Sequence, residues 1–168
     1  MTAKAQSRKS YIITTSEDIN VNEIADDKVG LQLRRGGILA VAAAGNSGRT
    51  NRPYVGNPAR CPSFLAVSAV DSNIRRANFS SFGPQVELAA PGVGIWSTTH
   101  DGHYGKKNGT SMACPHVAGV AALNKARRPA MTGDQIRRRL HRTARDVGIS
   151  GRAPFYGYGL VNAYRSVR

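Results

Sequence analysis

Apolar positions along this chain fall into two kinds of pattern. Between Asn20 and Arg35, Val21, Ile24, Ala25, Val29, Leu31 and Leu33 recur at roughly helical spacing. That spacing predicts a moderately amphipathic helix, ended by Gly36-Gly37. Residues 38–44 and 64–70 are instead short unbroken apolar runs bounded by glycine, aspartate, asparagine and serine. Such runs suit strands buried on both faces. A polar loop with three prolines, 49–63, joins them. Shorter extended pieces are predicted at 86–89 and 93–97. Ser111 then opens a helix of small and apolar residues running to about 126, with Pro115 expected in its first turn. Thr132-Gly133-Asp134-Gln135 precedes a basic amphipathic helix through about 144, and Gly157-Tyr158-Gly159-Leu160 leads into a short terminal helix. The first 20 residues carry no sustained period, so no regular element is predicted there. Strands alternating with helices imply an α/β fold with a mainly parallel sheet.

Composition narrows the class. At 168 residues the chain suits one domain, and no internal repeat or linker divides it. No apolar run approaches the roughly 20 residues needed to cross a bilayer, so no membrane partner is expected. Met1 to Ser10 is polar and basic, and no secretory leader is read there. Lysine and arginine outnumber aspartate and glutamate 24 to 10, a formal charge of +14. The basic clusters at 125–128 and 137–145 lack interleaved aromatics. Arginine-rich solvated faces therefore explain the charge better than a nucleic-acid partner. Cys61 and Cys114 are too few for a disulfide framework, and no His/Cys cluster has zinc spacing.

Chemistry concentrates in residues 109–119, Gly-Thr-Ser-Met-Ala-Cys-Pro-His-Val-Ala-Gly. A serine at a helix N-terminus sits beside backbone N–H groups and the positive end of the helix dipole. Those groups can stabilise negative charge developing on an attacked carbonyl oxygen. The small residues Gly109, Ala113, Ala118, Gly119, Ala121 and Ala122 allow a closely packed helix that holds Ser111 rigidly. An ordinary N-cap is the plainer account of a Gly-Thr-Ser tripeptide taken alone.

Taken whole, the string resembles the active-site serine signature of the subtilisin-like serine proteases. Ala42-Ala43-Ala44-Gly45-Asn46 is similar to the segment that carries the family's oxyanion asparagine. Val67-Ser68-Ala69-Val70-Asp71, Phe79-Ser80-Ser81-Phe82-Gly83 and Ala89-Ala90-Pro91-Gly92-Val93 follow in the family's order. Gly157-Tyr158-Gly159-Leu160-Val161-Asn162-Ala163 resembles its closing segment. These motifs cover roughly residues 36–165. They imply the C-terminal half of a subtilisin-like three-layer domain in residues 36–168, preceded by a segment, 1–35, that they do not reach.

The resemblance implies a serine endopeptidase. Ser111 would be the nucleophile, Asn46 would donate its amide to the oxyanion, and Thr110 would support it, capping being the alternative. Ala43, Ala44, Gly45 and Gly56 would line the pocket for the residue before the cut, with tight packing as the plainer account. No cofactor is needed for that chemistry. Asp71, with carbonyls near Ala59 and Cys61, resembles a structural calcium or monovalent-ion site, although an aspartate opening a turn explains it better. Family members are secreted, which fixes no compartment for this chain.

The triad, however, is incomplete. The family places its aspartate and histidine upstream of the serine, in Asp-Thr-Gly or Asp-Ser-Gly and His-Gly-Thr-His contexts, and this chain has neither. Asp18, Asp26 and Asp27 lack the context; Ser16-Glu17-Asp18 stands where the family's Ser-Leu-Gly cleft edge is expected. His116 belongs to the serine signature and would be structural and buried; His100, His103 and His141 read as surface histidines. Three expectations follow. The substrate is a polypeptide, and a missing N-terminal segment or chain supplies the aspartate and histidine. Residues 38–44 are left as an open sheet edge. A degenerate, non-catalytic peptide-binding remnant is the alternative.

Overall fold

The computed structural model describes residues 12–15, 23–49 and 52–168. In chain order its elements are β1 (Ile12–Thr15), α1 (Glu23–Arg35), β2 (Leu39–Ala43), β3 (Leu65–Val70), β4 (Val86–Pro91), β5 (Ile95–Thr98), β6 (Tyr104–Lys107), α2 (Thr110–Arg127), α3 (Gly133–Thr143) and α4 (Ala163–Val167). Strands β1 to β4 form one parallel sheet in sequence order, and β5 and β6 form a separate antiparallel pair. The α/β class with a mainly parallel sheet is therefore observed.

Two cores flank the sheet, because alternate residues of β2 point to opposite faces. Leu39, Val41 and Ala43 join Leu65, Val67 and Leu88 under α2 and α3, with Cys114, Val117, Ala121, Ile136 and Leu140. Ala40, Ala42 and Ala44 join Val55, Ala59, Cys61 and Phe64 on the other face, where Leu33 of α1 packs. The result is three layers. Cys61 and Cys114 lie on opposite faces of the sheet, so the two thiols do not meet.

Five expectations change. Residues 12–15, inside the stretch without a period, form β1; a four-residue strand is too short to show one. The expected open edge at 38–44 is covered, since β1 pairs with β2 from Ile12↔Leu39 to Thr15↔Ala42. Among the described residues, the sheet's outer strand on this side is thus β1. The N-terminal start of the first helix at 20 and the Ser16-Glu17-Asp18 segment lie outside the described residues. The polar stretch after His103 is a strand, β6, held by backbone pairing to β5 rather than by an apolar pattern. Pro115 falls in the second turn of α2, not the first, because tertiary contacts fix the helix start at Thr110.

His141 is the fifth. It is not a surface histidine: its Nε2 lies 2.7 Å from Glu87 Oε2, and its ring stacks on Tyr158 at 4.2 Å. Arg137 donates from Nε to the same oxygen at 2.8 Å and from Nη2 to Oε1. A buried carboxylate on β4 therefore gathers two side chains of α3 into one network. Burial pushes the Glu87 carboxyl up, but the hydrogen bonds from His141 and Arg137, with their charges, outweigh it and hold it below its ordinary value. The closing segment is bound alongside, with Tyr158 N–H donating to Glu87 O and Ala89 N–H to Gly159 O.

Two measurements check this packing. Leu140→Ala, which empties a fully buried site, is expected to lose about 2–5 kcal/mol in urea unfolding. A carboxyl held low in the folded state stabilises it at neutral pH and loses that contribution as acid protonates the native carboxylate. The stability difference between the native chain and Glu87→Gln is therefore expected to shrink as pH falls below the ordinary glutamate range. A difference that grows with acid would contradict the network.

Candidate active site

The site is built where two loops at the carboxyl ends of the strands meet the start of α2. After β2 the chain turns through Gly45, whose φ of +103° disfavours any residue with a side chain. This turn presents Asn46. After β4 the chain passes Gly92, whose N–H donates to Val70 O at 2.9 Å and whose carbonyl accepts from Gly109 N at 2.8 Å. A Cβ at Gly92 would lie 2.6 Å from that of Ala69 and 2.7 Å from Gly109 O, so only glycine allows this approach. The residue preceding Thr110 is thereby tied to the ends of β3 and β4.

Thr110 closes the joint. Its backbone N–H and its hydroxyl both donate to Asn46 Oδ1, at 3.0 and 3.1 Å. The same hydroxyl oxygen accepts from Gly45 N–H at 3.2 Å. Thr110 is fully buried, while Asn46 is exposed and Ser111 half-buried. Two donors converging on one amide oxygen also settle the orientation of the Asn46 side chain. Its NH₂ group faces away from Thr110, and Nδ2 lies 3.7 Å from the Cβ position of Gly109. The structure therefore brings Gly45, Asn46 and Thr110, the residue before Ser111, into one hydrogen-bonded unit.

The expected pocket residues lie beside it. Ala43 and Ala44 are buried at the end of β2, and Gly56 N–H donates to Ala44 O at 3.0 Å. Gly45 O accepts from Ser81 N–H at 2.8 Å. These small residues are buried next to the asparagine, with Gly56 bonded to Ala44 and Gly45 to Ser81.

The remaining candidates are placed otherwise. His100 and His103 are exposed at the turn of the β5–β6 hairpin. His116, expected buried, is exposed; its Nδ1 lies 2.8 Å from Met112 O, one helical turn back. Among the described residues, none covers the part of α2 that carries it. Asp71 Oδ1 accepts from the N–H groups of Asn73 and Arg75, both at 2.9 Å, which is the work of a turn residue. Among the described residues no group of three or more His, Cys, Asp or Glu side chains gathers as a metal site. Sequence reasoning missed a cleft of about 310 Å³ lined by Ile95, Trp96, Ser97, Met112, Pro115 and His116. The chain's single tryptophan was the only hint of it.

The Subtilase family model matches residues 6–159, beginning well before the first of the motifs. The chain is 50% identical over 132 residues to a thermostable alkaline protease of Halalkalibacterium halodurans, covering 79% of this chain and 35% of that protein. It is 50% identical over 127 residues to Subtilisin DY of Bacillus licheniformis, covering 75% and 45% respectively. Subtilisin E of Bacillus subtilis matches at 50% over 127 residues, covering 75% of this chain and 32% of that protein. The chain thus spans a third to just under half the length of the curated relatives it matches. No helix among the described residues is long and apolar enough to cross a membrane.

The joint makes a prediction independent of activity. Thr110→Val removes the hydroxyl that Gly45 N–H and Asn46 Oδ1 both use, and leaves a buried N–H without its acceptor. Chemical denaturation is expected to show a loss of about 1–3 kcal/mol, with Thr110→Ser restoring most of it.

Proposed function

The chain belongs to the subtilase family, and from that premise we propose that it is the C-terminal portion of a serine endopeptidase that cleaves polypeptides through an acyl-enzyme on Ser111. The observation that carries the reading is the clamp on Asn46. With Oδ1 held by Thr110, the amide can only offer its N–H groups, on the side of Gly109 and Ser111. An amide fixed as a donor before substrate arrives costs no reorganisation when charge develops, which is what an oxyanion site requires.

The chemistry balances as follows. Ser111 Oγ forms a bond to the scissile carbonyl carbon, and the carbonyl electron pair moves onto oxygen. Asn46 and the Ser111 backbone N–H stabilise that oxyanion at the positive end of α2. The hydroxyl proton passes to an imidazole base, which then delivers it to the departing amine. Water repeats the sequence on the ester and releases the acid. Ala43, Ala44, Gly45 and Gly56 form the small-residue wall for an apolar side chain before the cut, and the β2 backbone offers a strand to the extended substrate. All of this uses side chains and backbone; no cofactor enters.

The base and its carboxylate partner come from polypeptide corresponding to the part of the relatives that this chain does not match. A serine without an adjacent base is a weak nucleophile. Loss of triad members costs about 10⁶ in turnover in subtilisin, where that figure is already established. The chain by itself is thus a nucleophile and an oxyanion site lacking their base.

A fluorophosphonate probe tests this directly. Labelling of Ser111 is expected only when the segment bearing the aspartate and histidine is supplied, and is abolished by Ser111→Ala. Rapid labelling of the chain alone overturns the account of the missing base; no labelling with a bound segment overturns Ser111 as nucleophile. In the completed enzyme Asn46→Ala is expected to lower kcat by about 10²–10³, the range already established for that donor in subtilisin. An unchanged kcat would remove Asn46 from the oxyanion site.

A further inference from the structure

Helix α3 and the closing segment border a cleft of about 570 Å³, lined by Met131, Gln135, Arg138, His141, Arg142 and Tyr158. Its volume is that of a site for a small organic ligand. Gln135, Arg138 and Arg142 recur at helical spacing and so share one side of α3. One wall is fixed from beneath. Glu87 Oε2 holds the His141 ring through Nε2, and Tyr158 stacks on that ring with its centroid 4.2 Å away.

The polar side chains of the cleft have donors to spare. Gln135 Oε1 accepts from Thr132 N–H at 2.8 Å in the capping box, which leaves its NH₂ group to donate. Among the described residues the guanidiniums of Arg138 and Arg142 make no hydrogen bond and no ion pair. Carboxylates on the surrounding elements are committed elsewhere: Asp134 to Arg34, Glu87 to Arg137 and His141, and Asp146 to Gly151 N–H. Arg152, which donates to Pro84 O, brings a third cation to within 5.2 Å of the Tyr158 ring centroid. Like charges four residues apart on a helix repel and destabilise it. An anion seated between them removes that cost, and the planar guanidinium suits the oxygens of a phosphate or carboxylate.

We propose that this cleft binds a small organic phosphate monoester, its phosphate between Arg138 and Arg142 and its organic part along Met131 and Tyr158. Charge selects the phosphate. Two guanidiniums match a group carrying about −1.5 to −2 at neutral pH, whereas one carboxylate leaves a cation unpaired. Volume selects the ester, because a bare phosphate ion leaves most of the cleft empty. The site draws on no step proposed for Ser111.

Calorimetric titration of the full chain at physiological ionic strength tests this, with phenyl phosphate, inorganic phosphate and benzoate as probes. Phenyl phosphate is expected to bind at one site and to shift the NMR signals of the Gln135 side-chain amide and the Tyr158 ring. Inorganic phosphate and benzoate should each bind about tenfold more weakly or worse. Arg138→Gln and Arg142→Gln should each weaken phenyl phosphate by about tenfold or more, as loss of a hydrogen bond to a charged group does. Lys106→Gln, which removes an exposed charge from the separate β5–β6 hairpin, should change nothing. Melting temperatures of the two arginine variants should hold or rise slightly, since one of two like charges is gone. Absence of saturable binding, or equal weakening by Lys106→Gln, overturns the site. Benzoate binding as tightly as phenyl phosphate overturns the choice of phosphate, and inorganic phosphate binding as tightly overturns the organic part. A marked fall in melting temperature overturns the reading of Arg138 and Arg142 as free donors.

Discussion

Two donors on one residue, the N–H and hydroxyl of Thr110, converge on the amide oxygen of Asn46. That contact joins residues 64 positions apart, the loop leaving β2 and the first turn of α2. It decides where the helix begins, which way the amide faces, and how the adjacent serine is presented. The burial of Thr110 keeps water from competing for the same atoms. Gly92, touching Ala69 and Gly109, supplies the close approach that lets the two loops meet. The candidate site is accordingly a property of the sheet's carboxyl ends, where ligand sites gather in open α/β folds.

The parts of the fold legible in the sequence were those whose burial is uniform. β2 and β3 are covered on both faces, so they read as unbroken apolar runs. α1, α3 and α4 were legible through spacing and caps; Thr132 and Gln135 form the capping box that starts α3. β1 was not legible, because four residues paired through backbone carry no period. β6 was hidden for a similar reason: Tyr-Gly-Lys-Lys has no strand pattern and is held only by its partner. The site's residue types were legible from local motifs, but the contact between Asn46 and Thr110 was not, since nothing local encodes it. His141 illustrates the same limit. Its basic neighbours on α3 suggested solvent, while the carboxylate that draws it inward lies 54 residues earlier on β4.

Charge is distributed with some economy. A chain with a formal charge of +14 places one of its few carboxylates, Glu87, inside the protein, where a guanidinium and an imidazole both reach it. That network anchors α3 to β4 on the side of the domain away from the serine loops. Asp134 pairs with Arg34 and so ties α3 to α1 across the end of the sheet, although this exposed pair contributes little. The loops around Ser111 are thus steadied from below by apolar packing and from the rear by a buried ion cluster.

The tail of the chain is bound to the helix that carries the serine. Asn124 of α2 donates to Ser166 of α4 at 2.6 Å, and Leu160 bridges β4 and Arg145. Ribosomes deliver residues in order, so α2 emerges some forty residues ahead of the partner that secures its far end. During synthesis, the helix that carries Ser111 therefore emerges before Ser166, which pins its far end. A cut in the backbone between α2 and Ser166 would loosen that helix from a distance, without touching a single group near Ser111.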